Sequence, residues 1–150
     1  MNSKKDKSKT TEKSQRPAIP TGDTPFYNLV KLMEILRGPQ GCVWDREQDI
    51  QSLKKYFLEE AQEAFESAEK EDWDGMMEEA GDVIFGMLFL AQIGKEHGKF
   101  TIDDSLKYCM EKMIRRHPHV FADFEAKTPD DVIKNWHRIK SSEKKQNKQD

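Results

Sequence analysis

Residues 59–82, EEAQEAFESAEKEDWDGMMEEAGD, hold two acidic stretches separated by a short polar segment, and this part of the chain decides the fold. Helical spacing of the apolar residues predicts one helix over residues 50–70 and a second from residues 72–74 to His97, ended by Gly98. We call them the first and second acidic helices. Because so few residues join them, they are expected to pack antiparallel.

Three further helices are predicted from start signals at Thr24-Pro25, Thr101-x-x-Asp104 and Thr128-Pro129. Gly38-Pro39 and His117-Pro118 stop the first two of these. The segment GPQGCVWDREQ, residues 38–48, is interpreted as an ordered loop. No stretch alternates in the manner of a β-strand, so the predicted fold class is all-α, a bundle of about five helices.

The two ends of the 150-residue chain are far more polar than its middle. Apart from Met1, residues 1–16 and 141–150 carry no large apolar side chain, and they cannot bury enough surface to offset the entropy of ordering. The predicted organisation is a disordered tail with a proline-containing linker over residues 1–24, a helical domain over 25–142, and a disordered tail over 143–150.

Charge and composition exclude several classes of protein. A formal net charge of -3, from 25 basic and 28 acidic residues, argues against nucleic-acid binding. The lysine-rich start lacks the apolar region of a signal peptide, and the longest apolar run, residues 83–91, is too short to span a bilayer. Cys42 and Cys109 lack metal-site spacing. We therefore expect a cytoplasmic protein without membrane partners.

The first acidic helix distributes its glutamates unequally around its axis. At about 100° per residue, Glu60 falls at the edge of the apolar face and Glu63 next to it. Glu59 and Glu66 point more toward water. A carboxylate at the edge of a buried face is desolvated and requires a partner, so Glu60 is more informative than Glu66.

The second acidic helix is apolar on nearly every side and is expected to be mostly buried, yet it carries Glu79 and Asp82 three positions apart. Like charges at this spacing repel each other, and a bound cation relieves the repulsion. Helical rise puts this pair level with Glu60 and Glu63 on the antiparallel partner. The four carboxylates predict a Mg²⁺ site, with Mn²⁺ as the substitute ion.

The acidic residues have two alternative interpretations besides a magnesium site. A glutamate-rich surface helix with no ligand also gives the pattern EExxE, but it does not explain Glu79 and Asp82 on an apolar helix. A di-iron carboxylate bundle needs a Glu-x-x-His pair on two helices, and no glutamate here is followed by histidine three residues later.

Basic residues recur at one-turn spacing later in the chain. Lys112 and Arg116 lie near the end of the fourth predicted helix, and Trp136 and Lys140 on the last. Such cations neutralise a polyphosphate, and an indole stacks on a base. The same residues are also typical of a helix C-terminus and of a hydrophobic core, so spacing alone leaves both interpretations open.

The ordered set EExxE, ExxD, KMIRRHPHVFAD and NWHRIK resembles the MazG family of nucleoside triphosphate pyrophosphohydrolases, over about residues 27–144. The resemblance implies an all-α homodimer that cleaves nucleoside triphosphates to a monophosphate and pyrophosphate with Mg²⁺. By motif, Glu60, Glu63, Glu79 and Asp82 resemble the metal ligands. Lys112, Arg116, Trp136 and Lys140 resemble the substrate-binding residues. One departure is Val43, where the family commonly has proline in C-P-W-D.

The expected mechanism assigns an attacking water to the carboxylate site, with Glu59, Glu60 and Glu63 as catalytic residues. Glu59, or a carboxylate that the metal does not fully engage, is expected to accept the proton of the water. The expected role is house-cleaning or regulation of nucleotide pools. Two alternatives remain: a pyrophosphohydrolase specific for deoxynucleotides or phosphoribosyl-ATP, and a catalytically idle module that binds nucleotides.

Overall fold

The computed structural model describes residues 25–146, which are helical apart from short connections. Seven helices occur in this range, and none of its residues forms a β-strand, which confirms the all-α prediction. Their bounds are α1 Phe26–Arg37, α2 Val43–Glu47, α3 Ile50–Glu69, α4 Trp73–Glu96, α5 Ile102–Arg116, α6 Pro118–Phe121 and α7 Pro129–Gln146. The first and second acidic helices are α3 and α4. The predicted tail and linker over residues 1–24 lie outside the described residues.

Short helices account for two differences from the sequence prediction. The expected loop over 38–48 contains α2, and the stop at His117-Pro118 is followed by α6, in which Pro118 occupies a first-turn position. Both are too short to show a helical period, because one turn offers no repeat of an apolar face. A single helical turn is therefore visible only in the structure.

The described chain divides into two compact units, residues 25–110 and residues 111–146, with the boundary inside α5. In the first unit α3 and α4 pack along each other, and α1 packs on α4. The buried core consists of Met33, Leu53, Phe89 and Ile93, with Phe85 and Leu90 packed against it. Burial of each such side chain contributes about 1.5–3 kcal/mol.

The α3–α4 pair is antiparallel, because Phe57 lies before the turn and meets Gly86 beyond it. A Cβ atom at Gly86 would lie 2.9 Å from the ring carbon Cδ2 of Phe57, closer than atoms in contact allow. Glycine at this position therefore lets the aromatic ring pack directly on the backbone of α4. The predicted antiparallel arrangement of the two acidic helices is confirmed.

Arg37 links α1 to α4, to α2 and to the residue that follows α2. Its Nε and one terminal nitrogen donate to the two carboxylate oxygens of Glu96, at 2.8 and 2.7 Å. Its other terminal nitrogen donates to the backbone carbonyls of Asp45 and Gln48. The hydrogen bonds from Arg37 to the Glu96 carboxylate hold the pKa of Glu96 below its ordinary value, against the opposing effect of burial.

The predicted helix-start and helix-end signals are confirmed at several places. The backbone N–H of Thr101 donates to the Asp104 carboxylate at 2.8 Å, and the Asp104 N–H donates to the Thr101 hydroxyl at 3.2 Å. Thr128 and Asp131 form the same reciprocal pair before α7. Gly98 has a φ of 62°, a left-handed conformation that glycine adopts without strain.

Two predictions about burial and order were wrong. The first half of α4 was expected to be buried, but Trp73 and Met77 are 70% and 72% exposed, because within this chain α1 and α3 cover only part of α4. The predicted C-terminal tail begins in a helix, since α7 continues over residues 143–146. Glu143 explains this extension, because it pairs with Arg115 and Arg116.

No helix in the described range 25–146 combines the length and apolar character that crossing a membrane requires.

Asp72 is expected to contribute to the stability of α4 as its N-cap, because its carboxylate accepts a hydrogen bond of 3.1 Å from the backbone N–H of Gly75. Asp72→Ala should lower the free energy of unfolding by about 1 kcal/mol, the usual effect of losing a cap. Urea denaturation followed by circular dichroism measures it. Asp72→Asn keeps the acceptor oxygen and should lose much less; an equal loss in both variants would contradict the capping role.

Candidate functional site

Three carboxylates meet between α3 and α4. Glu60, Glu79 and Asp82 each offer one oxygen, and these oxygens all lie within 4.8 Å of one another. Glu79 and Asp82 are three residues apart and share one side of α4, while the antiparallel packing brings Glu60 of α3 level with them. We call these three residues the carboxylate cluster. Local sequence on two helices and the pairing of those helices together create it.

Glu79 is the least satisfied member of the cluster. Its Oε2 atom is buried and has no hydrogen-bond partner. Burial raises the pKa of Glu79, followed by a hydrogen bond to Glu60 and by the negative charges of Glu63, Glu60 and Asp82. A buried oxygen without a donor is uncommon in folded proteins and requires an explanation. A bound cation would supply both the missing partner and the missing positive charge.

The predicted site residues on α3 behave differently from one another. Glu63 is exposed and stands outside the carboxylate cluster, although it is near enough for its charge to raise the pKa of Glu79. Glu59 is exposed and lies 3.6 Å from Lys55. Glu66, predicted to be a solvated charge, lies 3.7 Å from Lys70 and accepts a hydrogen bond of 2.8 Å from Gln62. Glu60 is therefore the one residue of α3 that belongs to the carboxylate cluster.

The donor set fits a hard divalent cation. All three groups supply carboxylate oxygens, the ligand type that Mg²⁺, Mn²⁺ and Ca²⁺ prefer. Three protein oxygens leave coordination positions for water or for a ligand's own oxygens. Sulfur and imidazole ligands, which favour zinc or copper, are absent from the carboxylate cluster.

The unit over residues 111–146 brings together Arg116 and Trp136, two of the predicted substrate-binding residues. The guanidinium carbon of Arg116 lies 5.3 Å from the centre of the Trp136 ring, a cation–π geometry. His117 also contacts the Trp136 ring edge-on, with centroids 5.2 Å apart. Lys112 lies one turn before Arg116 on α5, and the exposed Lys140 one turn after Trp136 on α7.

Glu143 is a contact of the predicted site that sequence reasoning missed. Its Oε2 accepts from Nε and one terminal nitrogen of Arg116, at 3.2 and 2.6 Å, and its Oε1 accepts from Arg115 Nε at 2.7 Å. These bonds, from Arg116 first, hold the pKa of Glu143 below its ordinary value. The second terminal nitrogen of Arg116 stays outside this pair. Glu143 was missed because it lies in the polar segment 141–150, which was predicted to be disordered for most of its length.

Tyr56 was also missed, although a signal existed. It lies one helical turn before Glu60, and its ring meets that of Trp44 edge-on, with centroids 5.6 Å apart and planes at 75°. Both rings line a cavity of about 310 Å³ that Glu60 and Asp82 also line. The available signal was the i, i+4 spacing of Tyr56 from the predicted ligand Glu60, which places both on the same side of α3.

Comparison with known proteins identifies the family to which these motifs belong. Residues 48–121, which include the whole carboxylate cluster, match the model of the MazG nucleotide pyrophosphohydrolase domain. The chain contains a MazG domain. The resemblance predicted from the acidic and basic motifs is therefore confirmed.

Curated relatives extend over more of the MazG chain. It is 50% identical to YabN of Bacillus subtilis over 119 residues, covering 79% of this chain and 24% of that protein. It is 48% identical to the nucleoside triphosphate pyrophosphohydrolase/pyrophosphatase MazG of Thermotoga maritima, covering 79% and 45%. It is 39% identical to the nucleoside triphosphate pyrophosphohydrolase of Escherichia coli K12, covering 81% of this chain and 46% of that protein. The chain thus spans less than half of each of these relatives.

A solved structure supports the fold independently. A mazG-related protein from Thermotoga maritima superposes with a TM-score of 0.65 at 24% identity, covering 77% of this chain and 98% of that one. At this identity the likeness shows the fold alone, and it confirms the MazG-like all-α architecture.

Removing the Glu79 carboxylate should stabilise the metal-free MazG chain near neutral pH. A group with a raised folded-state pKa binds more protons folded than unfolded, so its ionisation lowers stability as pH rises. Glu79→Gln should therefore have a higher Tm than wild type in chelator at pH 7. This advantage should shrink as pH falls toward glutamate's ordinary pKa of about 4.3.

Differential scanning fluorimetry from pH 4 to pH 8 measures this difference. The control is Glu78→Gln, which removes the same charge from the adjacent exposed position and should show no such pH-dependent advantage. Equal Tm profiles for Glu79→Gln and wild type would contradict an unsatisfied Glu79.

Proposed function

We propose that this chain hydrolyses nucleoside triphosphates to nucleoside monophosphates and pyrophosphate with Mg²⁺. The observation that carries the proposal is the carboxylate cluster with its unpartnered Glu79 oxygen, on the two helices of a MazG domain. The T. maritima and E. coli relatives, which are nucleoside triphosphate pyrophosphohydrolases by name, supply the reaction class. We place the activity in cytoplasmic nucleotide pools, as house-cleaning of triphosphates.

Glu60, Glu79 and Asp82 would hold the Mg²⁺ ion. Glu63, the fourth predicted ligand, lies outside this cluster and acts on Glu79 through its negative charge. A bound Mg²⁺ neutralises phosphate oxygens and lowers the pKa of a coordinated water. The three carboxylates keep defined positions around the site because each extends from a helix. Their mutual repulsion in the absence of a cation favours binding of a dication at this point.

A proton acceptor for the attacking water is best sought beside the cluster. Glu63 suits this role better than Glu59, because Glu63 acts on Glu79 electrostatically whereas Glu59 lies against Lys55. A solvent-exposed carboxylate also passes its proton on to bulk water. We therefore propose Glu63 as general base, with Glu60 catalytic through the metal.

The family resemblance assigns substrate contacts to Lys112, Arg116, Trp136 and Lys140, and we retain that assignment as a proposal. Glu143 engages one edge of the Arg116 guanidinium, and the Trp136 ring lies against its face. A guanidinium fixed in this way loses less rotational freedom when it binds a phosphate. The remaining terminal nitrogen is the donor for an anionic oxygen.

A second copy of this chain is the proposed partner for the exposed apolar face of α3 and α4. Leu58, Phe65, Trp73, Met77, Ile84 and Met87 are exposed large apolar residues on these two helices. Exposed large apolar residues grouped on two paired helices are typical of an association surface. We propose a homodimer through this face, in agreement with the resemblance.

Pyrophosphate release should require Mg²⁺ and the carboxylates. With a panel of ribo- and deoxynucleoside triphosphates, wild type should release pyrophosphate rather than phosphate, and chelator should stop the reaction. Asp82→Asn and Glu63→Gln should each lower kcat/KM by about 100-fold or more. Loss of a residue that only supports a metal ligand typically lowers activity by about 10- to 100-fold, and loss of a ligand or of the general base should have at least the larger effect.

Circular dichroism should show unchanged helix content in both variants. Glu66→Gln is the matched control, because Glu66 lies on the same helix but pairs with Lys70, and it should keep wild-type activity. Full activity in Asp82→Asn would reject the carboxylate cluster as the metal site, and full activity in Glu63→Gln would reject Glu63 as the general base. Binding of nucleotide without any pyrophosphate over hours would instead indicate an idle binding module.

The homodimer predicts a defined effect of charge on the apolar face. Met77→Arg should shift the mass in light scattering toward the 17.5 kDa monomer, because arginine is poorly accommodated in an apolar interface. Val43→Arg, on the exposed side of α2, should leave the dimer mass unchanged. A monomeric wild-type protein at micromolar concentration would contradict this assembly.

A further inference from the structure

The cavity beside the carboxylate cluster has no role in the reaction described so far. Its volume is about 310 Å³, and α2, α3 and α4 of the same unit form it. Its principal lining residues are Trp44, Tyr56, Phe57, Phe85, Glu60 and Asp82. Ligand cavities in proteins begin at about 300 Å³, so this one suits one part of a nucleotide rather than the whole molecule.

Aromatic rings make up the wall of the cavity away from the carboxylates. Trp44 and Tyr56 form an edge-to-face pair and remain 50% and 46% exposed, although rings of this size usually contribute far more buried area. Their exposure leaves aromatic surface for a further planar group. A half-exposed aromatic pair beside a ligand site is typical of a stacking platform for bases.

The two carboxylates identify which planar group would enter. Glu60 and Asp82 line the cavity and also belong to the carboxylate cluster, so a ligand that fills the cavity meets the proposed Mg²⁺ site at one end. An apolar side chain of a protein partner gains nothing from two carboxylates, because they resist desolvation. A nucleotide has the required asymmetry, with a planar apolar base at one end and phosphates that share the cation at the other.

Trp136, the expected stacking residue, already has partners in this structure. Arg116 lies over its ring and His117 contacts its edge. Its contacts are those of a side chain that supports a phosphate-binding arginine. Trp44 and Tyr56 contact each other's rings and otherwise border the cavity.

We propose that the cavity lined by Trp44 and Tyr56 binds the nucleobase of the triphosphate whose phosphates meet the carboxylate cluster. The inference rests on the proposed function for its choice of ligand. Stacking is tolerant of base identity because every base has a flat aromatic face. The pocket therefore accepts purines and pyrimidines with modest preference, and it adds affinity without touching the bond that breaks.

Binding, rather than turnover, gives the sharpest test. The probes are α,β-methylene ATP, whose carbon bridge resists cleavage at the proposed bond, and inorganic tripolyphosphate, which has phosphates but no base. Titration calorimetry with Mg²⁺ measures both. Trp44→Ala should weaken binding of the ATP analogue by about 5- to 150-fold, the contribution of one stacked base. Tripolyphosphate binding should change by less than about twofold.

Additional variants separate stacking from folding. Trp44→Phe keeps an aromatic face and should restore most of the affinity, and Tyr56→Ala should repeat the base-dependent loss from a different helix. Val43→Ala is the matched neighbour: Val43 is exposed on α2 and is not among the residues that line the cavity, so both probes should bind as in wild type.

Several outcomes would overturn the pocket. Equal weakening of both probes by Trp44→Ala would mean that the ring acts on the phosphate site, and unchanged binding of both would place the base elsewhere. A base-dependent loss in Trp136→Ala but not in Trp44→Ala would do the same. If wild type binds the analogue through Trp44 but releases no pyrophosphate from ATP, the pocket stands and the proposed hydrolysis fails.

Discussion

The close antiparallel contact between α3 and α4 is the constraint on which the site depends. A turn over residues 70–72 joins the two helices, and the Phe57 ring lies directly on the backbone at Gly86. With the spacing and register of the pair set in this way, Glu60 has to lie beside Glu79 and Asp82. A larger side chain at Gly86 would push the helices apart and separate the carboxylates. Packing thus holds three like charges together that would otherwise separate.

The chain treats its charged groups in two contrasting ways. Near the end of α4, both carboxylate oxygens of Glu96 accept hydrogen bonds from Arg37, which also donates to the carbonyls of Asp45 and Gln48. Near the start of α4, Glu79 has a buried oxygen without a donor and a raised pKa. The first arrangement stabilises the fold, since every partner is present. The second destabilises the cation-free protein, and local rules are broken most readily at functional sites.

Long periodic elements were predictable, because apolar spacing and capping residues act locally. The bounds of α3, α4 and α5 follow from Asp49, Asp72, Thr101 and the terminal glycine at residue 98, each of which satisfies or ends the backbone hydrogen bonds next to it. The single turns α2 and α6 were missed, since one turn has no period. The exposure of Trp73 and Met77 was also missed. Apolar composition predicts that a helix face is packed against something, but it does not tell whether the packing partner lies in the same chain.

The sequence by itself determined the all-α class, the resemblance to the MazG family, and the four candidate ligands Glu60, Glu63, Glu79 and Asp82, because residue type and spacing along a helix are properties of the chain. Only tertiary structure decided which three of these four carboxylates lie within reach of one another, since that depends on the distance and rotation between helices. It also decided that Glu143 reaches Arg116 and that Trp44 meets Tyr56 beside the cluster. Each of these contacts joins residues on different helices, and helical spacing carries no information about what lies across from it.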